Sequence, residues 1–285
     1  MSVRKTAMVL YRLLQLTFLA MVVGDFFDGW PLPWAAAFVP LGLALVIGTA
    51  MGRTGPRAGA AGREEIVVDP PVRGRWTALN SPADKVPSHG THAYGQSYAI
   101  DIVAEGAPGD RPAFAAVWPL VRRPAAFPAF GATVHAVADA TVVHASDWRR
   151  DHLSRNSGPA LVCLMLVEGA IRELGGAGWI VGNHVVLELG DGGYAMYAHL
   201  QRGSLRVRPG DRVRAGQVLA RCGNSGNSTE PHVHFQLMDA PDLDAAVGLP
   251  FRWRSVGVPA GRETFSVDEE LLADSGTPAR EERRG

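Results

Sequence analysis

The distribution of apolar positions divides the chain into two parts with different patterns. The N-terminal part holds two nearly continuous apolar runs, 7–23 and 34–51, joined by the acidic segment 24–33. Both runs lie near the lower length limit for a bilayer span. We predict a membrane-anchoring helical hairpin over 1–51 and a flexible linker over 52–65. A cleaved signal peptide is the weaker alternative, because no small-x-small cleavage site separates the two runs.

From Ile66 onward, short alternating runs are broken by turn residues, a pattern typical of strands. The segment 190–193 has the composition of a hairpin turn. Short strands separated by turns predict a mainly β domain over 66–266, with a compact antiparallel sheet as its core. The candidate strands are 98–103, 133–144 (two strands), 184–189, 194–200, 205–208, 212–214, 218–221 and 232–238.

Two insertions and a polar tail interrupt or follow this pattern. The segment 104–130 is rich in proline and aromatic residues, and 148–180 contains the apolar run Ala160–Ile171. We predict that this run is a helix packed in the core, in preference to a helix that contacts a membrane surface. The tail 267–285 is polar with mixed charge and is predicted to be disordered.

Composition and charge narrow the possible partners. The formal net charge is zero, so no electrostatic argument favours nucleic acid, and we expect none as a partner. Cys163 and Cys222 form no Cys-x-x-Cys motif, which excludes the usual cysteine zinc sites. We expect both to be buried small apolar residues rather than a disulfide.

The chemically informative residues are histidines and one aspartate. Residues i and i+2 of a strand point to the same face, so His232 and His234 should project from the same face. Two histidines on one face could supply part of a zinc site. A pair of partly exposed strand histidines is the alternative. Asp101 lies in an apolar strand, where a carboxylate is costly to bury unless it is paired or bound to metal. His199 ends another strand, an unusual place for a purely structural imidazole.

Further histidines could complete such a site. His89 and His92 lie in the loop segment SHGTH upstream of Asp101. A glycine-containing loop can return either imidazole to the aspartate, so spacing alone leaves both open. The remaining histidines lack comparable partners and are predicted to be ordinary surface or half-buried residues: His135, His144, His152 and His184.

Several motifs together resemble the core of the lysostaphin-type zinc endopeptidases. They are GNHVV at 182–186, YAMYAHL at 194–200, the segment 207–237 ending in STEPHVHFQL, and the hairpin-like segment 131–147. The resemblance covers about 86–240 without the insertions. It implies a groove-bearing β-sheet fold and metal-dependent attack on peptide bonds, typically in peptidoglycan. It also implies zinc on Asp101 and His234, with His232 and His199 acting on the catalytic water and the transition state.

The chain departs from the family at its first motif, which is usually His-x-x-x-Asp. The residue four positions before Asp101 is Ser97. We favour His89 as the third zinc ligand, because SHGT followed by YAID resembles a variant branch of the family, and we retain His92 as the alternative. Tyr197 is a candidate hydrogen-bond donor to the developing oxyanion.

The sequence therefore predicts a membrane-anchored zinc endopeptidase that acts on peptidoglycan peptides. A catalytically silent binding or regulatory module on the same fold is the alternative. A biotinyl- or lipoyl-like carrier is disfavoured, because no lysine follows Lys85. Basic residues flank both ends of the hairpin, so the positive-inside rule places both termini in the cytoplasm, whereas a cell-wall hydrolase works outside. The sequence leaves the membrane side open.

Overall fold

The computed structural model describes residues 3–28, 33–54, 63–190 and 192–268. Its N-terminal part is a pair of helices, α1 (Val3–Asp28) and α2 (Phe38–Thr54). They run antiparallel, since the Phe18 and Phe38 rings lie 5.9 Å apart and Gly48 faces the ring of Tyr11. Within the described residues, Thr6–Asp25 of α1 is the one stretch long and apolar enough to cross a membrane. The apolar stretch of α2 is shorter, so the second span remains a prediction.

The rest of the described chain is built mainly of short strands. Many of them begin or end next to glycine or proline, which supply the turns between them. The strands are β1 (Ile66–Val68), β2 (Gly74–Asn80), β3 (Ile100–Ala104), β4 (Thr133–His135), β5 (Ala140–Ser146), β6 (His184–Leu189), β7 (Tyr194–Ala198), β8 (Arg212–Val213), β9 (Val218–Arg221), β10 (Val233–Met238), β11 (Gly248–Leu249), β12 (Phe251–Trp253) and β13 (Thr264–Val267).

One large antiparallel sheet organises these strands. Its order is β13-β2-β3-β10-β7-β6-β5-β8, with β11 pairing with β10 in addition. β4 and β9 form a separate antiparallel pair, and β1 pairs with β12 in parallel. The prediction of an antiparallel sheet core is confirmed, and β10 lies at its centre between β3 and β7.

Strand β10 separates the apolar core from the polar face of the sheet. Phe235 packs against Phe251 and Trp253, with ring centroids 5.0 and 5.9 Å away. His234 and Gln236 alternate with it and point to the opposite side, as the pleat of a strand requires. All six residues of β10 are buried, so both faces of this strand are covered.

The second insertion forms the predicted helix, but its packing differs from the prediction. The helix comprises α3 (Gly158–Cys163), one π-helical turn (Leu164–Glu168) and α4 (Gly169–Leu174), and a further short helix, α5 (Ala177–Val181), follows. Leu164 and Ala170 are buried, whereas Val162, Met165, Leu166 and Ile171 are 51–60% exposed. The expectation that this run packs in the core is therefore wrong for its outer face.

The two cysteines differ from each other in burial. Both are free, as expected, and Cys222 is buried. Cys163 lies on the outer face of the insertion helix and is exposed, which corrects the expectation that both are buried.

The domain boundaries stay a prediction. The first and last strands begin at Ile66 and end at Val267. Most of the predicted linker, at 55–62, and most of the predicted tail, at 269–285, lie outside the described residues. The segment 205–208 does not form a strand, and the candidate strands did not include β1, β2, β11, β12 or β13.

Candidate metal centre

The centre of the sheet brings Asp101 and His234 together. They are directly paired residues of the antiparallel strands β3 and β10, so their side chains project from the same face. His234 Nδ1 lies 2.8 Å from Asp101 Oδ1. His232 precedes β10 by one residue and shares this face, with its Nε2 atom 3.4 Å from Asp101 Oδ1. The shared face expected from the His-x-His spacing is present.

Two more histidines reach this face from loops. His199 follows β7 in a left-handed conformation, at φ 58°, and its ring lies 4.8 Å from that of His232. His89 belongs to the loop between β2 and β3, and its Nε2 atom lies 2.8 Å from Asp101 Oδ2. The donor atoms of His89, Asp101 and His234 all lie within 4.8 Å of one another, as do those of His199, His232 and His234.

Each of these four imidazoles has its outer nitrogen next to a hydrogen-bond acceptor. In a neutral ring whose outer nitrogen donates its proton to such an acceptor, the inner nitrogen carries the lone pair. The pairs are His89 Nδ1 with Ser88 Oγ at 2.9 Å, His199 Nδ1 with the Ser225 carbonyl at 2.8 Å, His232 Nδ1 with the Glu230 carbonyl at 2.8 Å, and His234 Nε2 with Gln236 Oε1 at 3.0 Å.

The two side-chain acceptors owe their orientation to neighbouring carbonyls. Ser88 donates its hydroxyl proton to the Ala99 carbonyl at 2.6 Å, so its oxygen accepts from His89. Gln236 donates its amide to the Tyr94 carbonyl at 2.7 Å, which turns its Oε1 atom towards His234. The inner nitrogens of His89 and His234 therefore face Asp101.

This arrangement fits a zinc ion. His89 Nε2 and His234 Nδ1 each lie 2.8 Å from a carboxylate oxygen of Asp101. Each contact needs a cation between the two atoms, either a proton, which makes a hydrogen bond, or a metal ion bound by both. Imidazole nitrogens and carboxylate oxygens are common zinc ligands, and catalytic zinc sites use three protein ligands. Hydrogen-bonded outer nitrogens are also usual for histidines that bind metal.

The electrostatics of the cluster follow from burial and proximity. Burial alone would raise the pKa of Asp101, but His89 and His232 outweigh it and hold that pKa well below its ordinary value. Burial, with His232 and His234 adding to it, holds the pKa of His199 well below its ordinary value. Burial would lower the pKa of His232, yet the facing Asp101 carboxylate raises it overall. His199 is therefore the neutral member of the His199–His232 pair.

His92 lies near this cluster but outside it. Its Nδ1 atom pairs with Ser97 Oγ at 2.9 Å. The chain between His92 and Asp101 turns through Tyr94 and Gly95, both at positive φ, 59° and 72°. The structure thus brings His89, rather than His92, to Asp101.

Tyr197 is a correction to the sequence-based expectation. It pairs with Phe235 across β7 and β10, and their rings are 5.4 Å apart on the core face of the sheet. Its hydroxyl oxygen accepts a hydrogen bond from the Val137 amide at 2.9 Å, and the side chain is fully buried. Because alternate strand residues face opposite sides, Tyr197 points away from the histidines and cannot donate into the site.

The other histidines stay apart from the centre, as expected, but two of them are more buried than predicted. His135 and His184 are 9% and 5% exposed. Burial lowers the pKa of His184 to about 4, and its ring stacks on exposed His144 at 4.7 Å. His152 is half-buried, and its Nε2 atom pairs with the Gly226 carbonyl at 2.8 Å.

Sequence reasoning missed three residues that orient the cluster: Asn80, Ser88 and Gln236. Asn80 donates its amide to Asp101 Oδ2 at 2.8 Å from the neighbouring strand β2. Gln236 follows His234 by two residues, so the rule that placed the histidines on one face would also have found it. Asn80 has no such local signal, because only the pairing of β2 with β3 brings it to Asp101.

A cavity of about 970 Å³ opens over the cluster. Its walls include all five residues of the cluster. They also include Met8, Tyr11 and Arg12 of α1, and Leu164 and Glu173 of the insertion helix. Helix α1 therefore forms part of the wall of the site.

Gly182 supports the loop that holds His199. It adopts a positive φ of 68°, and a Cβ atom there would lie 2.6 Å from the Ser225 carbonyl carbon. We expect Gly182→Ala to lower the free energy of unfolding by about 1–3 kcal/mol, because a residue with a Cβ atom is strained at φ 68° and ψ −142°. Gly178→Ala is the control, because its Cβ would meet nothing within 4 Å inside a helix, and alanine there should stabilise by up to about 1 kcal/mol. Urea unfolding of both variants tests this, and equal stability would contradict it.

Part of the chain is similar to known peptidases. Residues 166–244 match peptidase family M23. The glycyl-glycine endopeptidase ALE-1 of Staphylococcus capitis is 42% identical over 72 residues, which are 25% of this chain and 19% of that protein. The peptidoglycan DD-endopeptidase ShyA of Vibrio cholerae is 37% identical over 57 residues, which are 20% of this chain and 13% of that protein. The chain therefore covers less than one-fifth of the length of these relatives.

The catalytic domain of lysostaphin from Staphylococcus simulans aligns with 54% of this chain and 77% of that domain, at 20% identity and a TM-score of 0.31. The assignment rests on the sequence matches rather than on that superposition. This chain carries a peptidase family M23 domain of the lysostaphin type.

Proposed function

We propose that this chain is a membrane-anchored, zinc-dependent endopeptidase that hydrolyses peptide bonds in peptidoglycan. The observation that carries the proposal is the convergence of four imidazoles, each hydrogen-bonded at its outer nitrogen, around one buried carboxylate beneath a cavity. The family match supports a peptidase, and the relatives named as endopeptidases support a cell-wall peptide as substrate.

His89, Asp101 and His234 would hold the zinc ion. A bound zinc ion supplies Lewis acidity, which polarises a peptide carbonyl and makes water a stronger acid. Ser88, Gln236 and Asn80 orient the three ligands through the hydrogen bonds described above. This supporting shell keeps the donor atoms in place before a metal arrives.

His199 and His232 would move protons. His199 donates Nδ1–H to the Ser225 carbonyl, so its Nε2 lone pair faces the cluster and can accept a proton from water. His232 faces Asp101, which stabilises its protonated form, so it can hold a proton and deliver it to the leaving amine. Either imidazolium would also stabilise negative charge on the carbonyl oxygen.

The test is metal analysis of the full chain in detergent, with digestion of purified peptidoglycan alongside. We expect about one zinc per chain and release of new peptide amino groups. Removal of the metal by a chelator should abolish release, and added zinc should restore it. Zinc without any cleavage would favour a catalytically silent module, and absence of both would overturn the proposal.

Anchorage rests on α1, whose stretch Thr6–Asp25 has the length and composition of a span. A second span through α2 would place both termini on one side of the membrane. A reporter fused after Gly285 would identify that side, and we expect an external position for a cell-wall substrate. A cytoplasmic reporter would contradict peptidoglycan as the substrate.

The choice of first ligand gives a matched pair of variants. We expect His89→Ala to lose zinc, because it removes one of three donors. His92→Ala should keep zinc, since its imidazole pairs with Ser97 outside the cluster. Zinc content of both purified variants checks this, and stoichiometric metal in His89→Ala with loss in His92→Ala would reverse the assignment.

A further inference from the structure

The insertion helix has an unusual surface. Its charged residues, Glu168, Arg172 and Glu173, are half-buried and ion-paired: Glu168 with Arg172 and Arg155, and Glu173 with Arg12 of α1. A surface helix in water normally turns its charges outward. Here every exposed position from 159 to 171 is uncharged. These positions are Pro159, Val162, Cys163, Met165, Leu166 and Ile171.

The first insertion extends this surface. The stretch 112–121 (PAFAAVWPLV) has no charged residue. It is bonded to the start of the helix, since the Gly158 amide donates to the Ala115 carbonyl at 3.1 Å and Ser157 Oγ donates to the Leu120 carbonyl at 2.8 Å. Its large exposed side chains are Phe114 (58%), Val117 (63%), Trp118 (79%), Leu120 (42%) and Val121 (37%). We call these side chains, with those of the helix, the insertion surface.

The position of α1 indicates what covers the insertion surface. Arg12 of α1 pairs with Glu173, and Met8 and Tyr11 line the same cavity as Met165. These contacts lie near the start of the apolar stretch Thr6–Asp25. At 1.5 Å per residue, they are within about 10 Å of Thr6 along the helix axis. If α1 crosses a bilayer, the insertion helix lies at the depth of the lipid headgroups and upper acyl chains.

The flank of the insertion helix has the composition of a membrane interface. Arg172 of α4 lines a hollow together with Arg149, Trp148 and Trp179. The guanidinium of Arg149 lies 4.2 and 4.3 Å from the two tryptophan rings. Tryptophan and arginine are enriched where protein meets the headgroup region, because each combines an apolar body with a polar group.

We propose that the insertion surface is immersed in the membrane that α1 crosses, so that the protein has a second, monotopic membrane contact. This proposal rests on the anchorage included in the proposed function. Immersion of the insertion surface would also restrict the substrate. The cavity over the metal centre is walled by α1 and the insertion helix, so it opens at the bilayer surface and admits peptides held close to the membrane.

Exposed Cys163 offers a probe at the centre of the insertion surface, since Cys222 is buried. The full chain is reconstituted in vesicles of anionic and zwitterionic phospholipid and labelled at Cys163 with an environment-sensitive fluorophore. We expect quenching by spin-labelled lipid and protection from aqueous iodide. The matched control is Arg214→Cys in a Cys163→Ser background, where the probe sits on an exposed turn and should show the reverse.

A charged residue introduced on the insertion surface tests whether that surface contacts lipid. Leu166→Glu should reduce lipid quenching of the Cys163 probe, whereas Val67→Glu, at an exposed apolar position on β1, should leave it unchanged. Iodide quenching of Cys163 equal to that of the control would overturn the proposal, and so would shielding from both quenchers, which would indicate a second copy of this chain on the surface. Vesicle flotation tests the anchorage through α1 separately from the immersion of the insertion surface. Protein that does not float with the vesicles overturns the anchorage itself, irrespective of peptidase activity.

Discussion

His234→Ala should lose zinc and peptidase activity together. His234 Nδ1 is one of three proposed donors and lies 2.8 Å from the Asp101 carboxylate. Loss of a residue that merely orients a ligand typically lowers metal affinity or activity about 10–100-fold, so loss of a ligand should exceed about 100-fold. The measurements are zinc content of the purified protein and rate of peptide release from peptidoglycan.

The matched control is His144→Ala, which removes an exposed imidazole outside the cluster and should keep both zinc and activity. Removal of His234 also leaves Gln236 Oε1 without its partner, so circular dichroism must show that the variant is folded. A folded His234→Ala protein with full zinc content would contradict the ligand assignment.

His232→Ala should retain zinc and lose turnover. His232 shares the face of His234, yet its Nε2 atom is 3.4 Å from the carboxylate, against 2.8 Å for His234 Nδ1. Its proposed role is proton transfer, and groups of this kind contribute about 10²–10⁴-fold. We expect kcat to fall by about this factor at unchanged metal content, and His199→Ala should behave in the same way.

Together, His232→Ala and His234→Ala distinguish a metal ligand from a proton-transfer group at the start of β10. If His232→Ala loses zinc while His234→Ala keeps it, the two roles are exchanged. If neither change alters a measurable cleavage rate, the centre is not catalytic and the silent module is favoured. Zinc content and kcat must be measured on the same preparations, because apparent activity otherwise follows the metal-loaded fraction.

Local patterns were sufficient for several elements of the fold. β6 and β9 have the bounds expected from their alternation, and β10 differs by one residue. The helix of the second insertion was expected from its apolar run. Periodicity identified the helix but not its environment, since a continuous apolar run reads the same whether it meets a protein core or another apolar medium.

Sequence alone determined the residues whose relation is local. The His-x-His spacing placed His232 and His234 on one face, because a strand has a period of two. The motifs around them identified the family, since their residues and spacings can be read directly along the chain. The cost of an unpaired buried carboxylate singled out Asp101 before its partners were known.

Only the tertiary structure decided the relations that depend on strand pairing and loop closure. The register of β3 against β10 sets Asp101 opposite His234, and that of β2 against β3 brings Asn80 to the same carboxylate. The path of the loop before β3 places His89, rather than His92, beside Asp101. The pairing of Tyr197 with Phe235 turned Tyr197 into the core. Such choices depend on contacts between residues far apart in the chain, so no local pattern contains them.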